Sequence, residues 1–281
     1  MICETNQKQA YRTVLIIAGS DSIGGAGIQA DIKTCTALRT YAMTAITAVT
    51  AQNTLGVRSY RAVDADLLRG QLQAVIEDVR PDAVKIGMLP TVESVRIVAD
   101  FLRVNSLENI VVDPVCVATS GDALAADSVP AAIRDCLFPP ATLVTPNVPE
   151  AELLSGVKIA DEPSKRRAAE AMLDCGAAAV IIKGGHPVGD TRDMAVDTLY
   201  RNHPHEERVY RAPFVDTANT HGTGCTFSSA IAAGLAKGLT LDLAIQYAKN
   251  YLTEAIRAGA DDSRWHGHGP MCHFYNVPEI Q

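Results

Sequence analysis

Short apolar runs recur along the chain. Each is cut off by glycine, proline or aspartate, and most are followed by a stretch of helical periodicity. Residues 14–18 are such a run, ending in Gly19-Ser20-Asp21, and they read as a buried strand. Gly24-Gly25-Ala26-Gly27 and a helical stretch over 28–38 follow. A Thr-, Ile- and Val-rich strand over 41–50 closes at Ala51-Gln52-Asn53. An amphipathic helix spans 64–79, and a strand at 83–86 is closed by Gly87-Met88-Leu89-Pro90. The next helix runs from Thr91 to about residue 104, with Glu93 in its first turn. Strand 110–112 stops at Asp113-Pro114, and a helix over 128–136 leads to strand 142–145, stopped by Pro146. Helices over 147–154 and 164–174 precede strand 178–183, which Gly184-Gly185 ends. Residues 194–200 and 208–210 flank Asn202-His203-Pro204-His205 as a hairpin. Helices over 224–237 and 241–257 come last, and the tail from 258 has no clear periodicity.

This repetition predicts an α/β fold with a mainly parallel central sheet and helices on both faces. Apolar residues at 47% with only 5% aromatics suit strands buried on both sides. Neither a linker nor a repeat is visible. One domain over 13–281 is therefore expected, behind a flexible polar extension at 1–12. Ligands in such sheets sit at the carboxyl ends of the strands. Here those ends carry Gly19-Ser20-Asp21, Gln52-Asn53, Gly87-Met88, Asp113-Pro114, Asn147 and Lys183-Gly184-Gly185.

A formal charge of −7 without a basic block points away from nucleic acid and from anionic membranes. No apolar run approaches bilayer-spanning length. Seven scattered cysteines without a CxxC pair, behind a polar N-terminus, imply reduced thiols and a cytoplasmic protein. Any phosphate site must then come from local geometry.

Thr220-His221-Gly222-Thr223-Gly224-Cys225 supplies such geometry where a loop enters a helix. Glycine lets the backbone approach a ligand, and the first helical N–H groups carry partial positive charge without partners. That is an anion cradle. Cys225 sits at the same helix start, where a thiol pKa is expected to fall. A cradle beside a base suggests phosphoryl transfer to a hydroxyl. The plainer alternative is a glycine turn entering a buried helix, with Cys225 as a small core residue.

Other patterns are less decisive. Gly25-x-Gly27-x-x-Ala30 imitates a dinucleotide fingerprint, but Ala-Val-Thr-Ala-Gln stands where the ribose carboxylate is required. No GxxxxGK[ST] motif occurs. Asn147-x-x-Glu150 could orient water on Mg²⁺ or simply cap a helix. Lys183 could meet phosphate oxygens or lie on the surface. Gln52 has the donor and acceptor needed to pair an aminopyrimidine edge, or it hydrogen-bonds its own loop. Asp21, Asp31 and Asp113 are candidate site carboxylates, with Asp31 also suited to a place early in its helix. His266, His268, Cys272 and His273 crowd the tail at spacings that fit no standard zinc pattern.

Several stretches in order closely resemble the hydroxymethylpyrimidine/phosphomethylpyrimidine kinases of thiamine synthesis. They are Ala-Gly-Ser-Asp-x-x-Gly-Gly-Ala-Gly-Ile-Gln-Ala-Asp-x-Lys-Thr at 18–34, Ala-Gln-Asn-Thr at 51–54, Lys-Ile-Gly-Met-Leu at 85–89, Asp-Pro-Val at 113–115, Thr-Pro-Asn-x-x-Glu at 145–150, Lys-Gly-Gly-His at 183–186 and Thr-His-Gly-Thr-Gly-Cys-Thr at 220–226. The resemblance covers about 13 to 275 and implies a ribokinase-like fold. It implies two ATP-dependent phosphorylations at one site, first of 4-amino-5-hydroxymethyl-2-methylpyrimidine and then of its monophosphate.

By the same resemblance Gln52 would hold the amino edge, with Gly19, Ala26, Asp31, Met88 and Val115 lining the pyrimidine pocket. Gly222, Thr223, Gly224 and Cys225 would form the anion hole, with Cys225 taking the hydroxyl proton directly or late in the transfer. Lys183 and Thr220 would serve ATP. Asn147, Glu150 and Asp113 would organise Mg²⁺, partly through water. A homodimer is implied as well. Ile23, Cys116 and Cys272 depart from the family pattern, at positions that bear on pocket shape rather than on phosphoryl transfer. The neighbouring readings are a pyridoxal kinase of the same fold, a nucleotide-binding regulator without turnover, and an NAD oxidoreductase.

Overall fold

The computed structural model describes residues 11–115, 128–184, 193–202 and 206–278. The expected N-terminal extension, apart from Tyr11 and Arg12, lies outside the described residues, as do Cys116, Gly185, His186, His203 and His205. Arg12 is tied down by an ion pair of 3.0 Å to Asp82.

Strand β1 (Thr13–Ser20) shows how the core is divided. Its side chains alternate between faces, as strand geometry requires. Leu15 and Ile17 join one apolar cluster, while Val14, Ile16 and Ala18 join another. Helix α1 (Gly27–Ala37) follows, then β2 (Tyr41–Asn53), β3 (Gly56–Ala62), α2 (Ala65–Asp78), β4 (Ala83–Ile86), α3 (Val92–Val104), β5 (Ile110–Val112), α4 (Val129–Leu137) and β6 (Leu143–Val144). The remainder is α5 (Val148–Ser155), α6 (Glu162–Asp174), β7 (Ala179–Gly184), β8 (Met194–Arg201), β9 (Glu206–Pro213), α7 (Thr223–Ala236) and α8 (Leu241–Gly259).

The strands form one sheet in the order β3-β2-β1-β4-β5-β6-β7-β8-β9. From β2 to β7 all neighbours run parallel, whereas β3, β8 and β9 join antiparallel at the two edges. Helices α2 to α6 cover one face and α1, α7 and α8 the other. Each fully buried aliphatic side chain contributes about 1.5–3 kcal/mol, which suffices to fix the strand register. Small residues in α7, among them Ala230, Ala232 and Ala233, are wholly buried and let the helix lie close to the sheet.

Local chemistry sets the helix starts. Asp64 caps α2 by accepting from the Leu67 amide, and Thr91 and Ser94 form a reciprocal capping box on α3. Ser94, not Glu93, is that partner, because it occupies the third helical position where the side chain reaches back.

The unanticipated element is β3. Strand β2 continues past Thr50 to Asn53, and β3 folds back on it as an edge hairpin, with a register shift between Ala51 and Gln52. The segment 56–62, Gly-Val-Arg-Ser-Tyr-Arg-Ala, has too little apolar alternation to announce a strand. The hairpin lifts Gln52 above the carboxyl end of the sheet. The parallel strands all point their carboxyl ends the same way, so Ser20, Gly87, Asp113, Thr145 and Lys183 gather along one edge.

Candidate active site

Helix α7 begins at this edge. Its N-cap, Gly222, has φ +83°, a left-handed conformation that β-carbon sterics disfavour. A Cβ at Gly222 would also overlap the carbonyl oxygen of Gly25. Only glycine therefore allows the two glycine loops to touch. The first bond into the helix is Thr226 N–H to Gly222 O at 2.9 Å, while Thr223 N–H turns back to Thr220 O. The Gly224 and Cys225 amides are left without an intrahelical partner, directed out of the positive end of the helix.

Lys183 leaves the end of β7 and reaches this spot. Its Nζ donates to Asp113 Oδ1 at 2.8 Å and lies 4.0 Å from Glu150. A Cβ on Gly224 would stand 3.1 Å from that Nζ and 3.7 Å from Asp113 Oδ2. Asp113 also accepts from Thr145 Oγ1 at 3.1 Å and Ser228 Oγ at 3.3 Å. Burial opposes the charge on Asp113, but Lys183 and Lys85 hold its carboxyl below the usual range. Burial likewise works against Lys183, and the Asp113 and Glu150 carboxylates outweigh it, so the ammonium persists.

Asn147 and Glu150 form a capping box on α5. Glu150 N–H donates to Asn147 Oδ1 at 2.9 Å, and Asn147 N–H donates to Glu150 Oε2 at 2.8 Å. Burial pushes the Glu150 carboxyl up to about 7, with Lys183 opposing. The capping role is thus realised, and it points the carboxylate at Lys183. Among the described residues no group of three or more His, Cys, Asp or Glu side chains gathers as a metal cage. Asp113 and Glu150 nonetheless supply the oxygen donors that suit Mg²⁺, which keeps waters and phosphate oxygens as its other ligands.

A small apolar wall assembles on the other side of the loops. Met88 and Ala48 form a small apolar cluster with Val57, Tyr60 and Val115 packed against it. A Cβ on Gly19 would meet the Met88 sulfur at 2.9 Å. Ala26 is the N-cap residue of α1, beside Gly222. Ser22 Oγ clamps the backbone of Gln52, accepting from its N–H at 2.8 Å and donating to its carbonyl at 2.7 Å. The Gln52 side-chain oxygen accepts from Thr50 at 3.3 Å. Gly19 and Val115 therefore pack on Met88, Gln52 is tied to the first glycine loop through Ser22, and Ala26 touches Gly222.

Two expectations need correction. Asp31 does not line the pocket: it is fully buried in α1 and taken up by Lys85 Nζ at 2.8 and 2.9 Å and by Ser229 Oγ at 2.7 Å. It lies past the first helical turn and so is not a dipole partner either. Cys225 does not become an acidic thiol. Burial pushes it up to about 12, helped by the Asp31 and Asp113 carboxylates and only partly offset by Lys85 and a hydrogen bond from the Gly27 amide. Desolvation outweighs the helix end here.

A family model described as phosphomethylpyrimidine kinase matches residues 21–272. The chain belongs to that family. A hydroxymethylpyrimidine/phosphomethylpyrimidine kinase of Streptomyces coelicolor is 46% identical over 95% of this chain and 96% of its own. Among solved structures, phosphomethylpyrimidine kinase from Clostridium difficile is 40% identical, with a TM-score of 0.76 over 87% of this chain and 99% of its own. The ADP complex of Bacillus subtilis pyridoxal kinase is 37% identical, with a TM-score of 0.85 over 94% of this chain and 98% of its own. The ribokinase-like architecture expected from the resemblance is thus shared with vitamin kinases of this family.

Lys85 escaped notice as a site residue. It stands in the Ala-Val-Lys-Ile strand β4, fully buried, its charge raised in persistence by Asp31, Cys225 and Asp113 against the cost of burial. A single lysine inside a central apolar strand was the available signal, since such a strand offers it no water. The tail residues do not converge on a metal: His266 and His268 are exposed, whereas His273 is buried against Thr226 at 3.0 Å.

Proposed function

We propose that the chain transfers the γ-phosphoryl group of ATP to the hydroxymethyl group of 4-amino-5-hydroxymethyl-2-methylpyrimidine, and then a second one to the resulting monophosphate. The observation that supports this most is the contact of the two glycine loops, which sets Gly25 and Ala26 against Gly222 at the start of the anion cradle. Gln52 pairs the aminopyrimidine edge, and Gly19, Ala26, Met88 and Val115 hold the ring. The Gly224 and Cys225 amides stabilise charge on the migrating phosphoryl group. Lys183 and Thr220 serve the ATP phosphates, and Asn147 fixes Glu150. Glu150 and Asp113 would hold Mg²⁺, partly through water, and the ion would supply screening of phosphate charge.

Cys225 works here as a thiol. Phosphoryl transfer through a loose transition state needs little deprotonation of the nucleophile at the start. Cys225 aligns the hydroxyl, whose proton leaves for a phosphoryl oxygen as the new P–O bond forms. Residues 13–281 act as one kinase domain. A cytoplasmic homodimer completes the reading, and no described helix is long and apolar enough to cross a membrane. Incubation with ATP, Mg²⁺ and the pyrimidine alcohol should yield the monophosphate and then the diphosphate. Absence of both products would sink the proposal. Pyridoxal is the competing alcohol, because a pyridoxal kinase shares this fold at 37% identity. Comparison of kcat/KM for the two alcohols decides between them.

A further inference from the structure

Asp21 and His221 lie 200 positions apart, one in each glycine loop, and neither takes part in the chemistry above. Both are buried, at 3% and 5% exposure. The Asp21 carboxylate accepts from the Ile23 amide at 3.1 Å through Oδ1. Through Oδ2 it accepts from the Gly25 and Ala26 amides at 3.0 and 2.8 Å and meets His221 Nε2 at 2.9 Å. Burial opposes its charge, but the bonds from His221, Ala26 and Ile23 win and hold its carboxyl below the usual range. Asp21 is then ionised and can only accept, so His221 Nε2 carries the hydrogen and donates it.

The rest of the residue is fixed nearby. The His221 backbone N–H donates to Gly269 O at 3.0 Å, and its ring lies so close to Gly25 that a Cβ there would overlap Cδ2. The residue after it is Gly222, pressed against the Gly25 carbonyl, and the Gly27 amide hydrogen-bonds the Cys225 sulfur. One charge-assisted hydrogen bond therefore joins the loop that carries Gly19 and Ala26 to the loop that carries the phosphoryl cradle. Lys183, Asp113, Asn147 and Glu150 stand apart from it, on the ends of β5 and β7 and at the start of α5, and of the residues assigned to ATP Thr220 alone adjoins His221.

We propose that Asp21 and His221 are a positioning pair that locks the ring-binding loop to the anion loop, so that the acceptor alcohol rather than water is aligned with the migrating phosphoryl group. The inference rests on the pyrimidine-kinase reading of the site. In-line transfer tolerates little displacement: an error of about 1 Å costs roughly a hundredfold in rate. Loosening the pair should spoil the alcohol's alignment more than ATP binding or attack by mobile water.

The test uses His221→Ala, His221→Gln, Asp21→Asn and the double variant Asp21→Asn with His221→Ala. Pyrimidine phosphorylation and pyrimidine-independent ATP hydrolysis are measured for each. His221→Ala should lower kcat for the alcohol roughly 10- to 100-fold, hold KM for ATP within about twofold, and raise the hydrolysis-to-transfer ratio about tenfold. His221→Gln, which keeps an N–H donor, should recover part of the loss. The double variant should lose clearly less than the product of the two single losses, because the two side chains act as a unit. Parallel losses of hydrolysis and transfer, or full additivity in the double variant, overturn the inference. Hydrogen exchange of the ligand-free protein gives a second readout. Residues 19–27 and 220–226 should lose protection together in His221→Ala, and unchanged protection at 19–27 overturns the lock. That measurement needs no substrate, so it stands even where the wild-type chain fails to phosphorylate the pyrimidine.

Discussion

Cys225 offers the sharpest test of how the site works. Its thiol is pushed from 9.0 to about 12, chiefly by burial. At pH 8 the thiolate fraction of such a group is on the order of one in ten thousand, against about a quarter for an ordinary protein thiol with pKa near 8.5. Alkylation of Cys225 by iodoacetamide, followed site by site by mass spectrometry, should be on the order of a thousandfold slower than free cysteine at pH 8. Its rate should still be climbing at pH 10. Turnover follows the same logic. A lost general base costs roughly 10²- to 10⁴-fold. A lost aligning thiol should cost only about tenfold in Cys225→Ala, with pyrimidine binding intact and most turnover restored in Cys225→Ser. An alkylation inflection near neutral pH, together with a thousandfold fall in kcat for the alanine variant, would refute this reasoning and return Cys225 to the role of proton acceptor.

Gln52→Leu should weaken pyrimidine binding by about 1–3 kcal/mol, the cost of an unpaired polar edge, and leave ATP binding unchanged. Calorimetry with each ligand checks this, and equal losses for both would reject the assignment. Lys85→Met strands the fully buried Asp31 carboxylate, so guanidinium unfolding should show a loss of about 3–5 kcal/mol. A loss below about 1 kcal/mol would mean that the pair is not structural. His273 is pushed down to about 4 by burial, with Lys33 adding. Its unfolded state binds a proton first, so its contribution is full above about pH 6.5 and is lost as pH falls toward 4. Relative to His273→Gln, the wild type should lose up to about 3 kcal/mol more across that window. Parallel pH–stability curves for the two proteins would contradict it.

Periodicity alone placed most elements, because this sheet is built from short runs that glycine, proline or aspartate terminate. Residues 83–86 and 110–112 read as strands from those stops and are strands. What periodicity missed was β3, an edge strand with exposed Arg58, Ser59 and Arg61, where packing does not force alternation. The helix start at Gly222 was legible for the same kind of reason: two glycines before a run of helical spacing mark a loop-to-helix junction. Electrostatics was less legible. A helix start lowers a thiol pKa only where desolvation does not outweigh it. Nothing local to Thr220-His221-Gly222-Thr223-Gly224-Cys225 reveals that Asp31 and Asp113 will lie near the half-buried Cys225. Asp31 misled for the same reason, since its partner Lys85 is 54 residues away and its partner Ser229 is 198.

The charges beneath the cradle explain why a chain with a net charge of −7 can handle two phosphorylated ligands. Asp31 and Asp113 face Lys85 and Lys183 in the interior, and Glu150 is drawn toward neutrality by burial. The ligand-free site is thus close to balanced and offers little net attraction to phosphate. The attraction must come from the unpartnered amides of α7 and from Lys183, and Lys183 is engaged by Asp113 at 2.8 Å. Its ammonium can turn to phosphate oxygens without stranding a buried carboxylate only when another cation takes its place beside Asp113 and Glu150. That exchange is the physical ground for assigning those two side chains to Mg²⁺. It also fits the place of the lysine at the tip of β7, where under the proposed assignment a small movement of its side chain would carry it from carboxylate to phosphate.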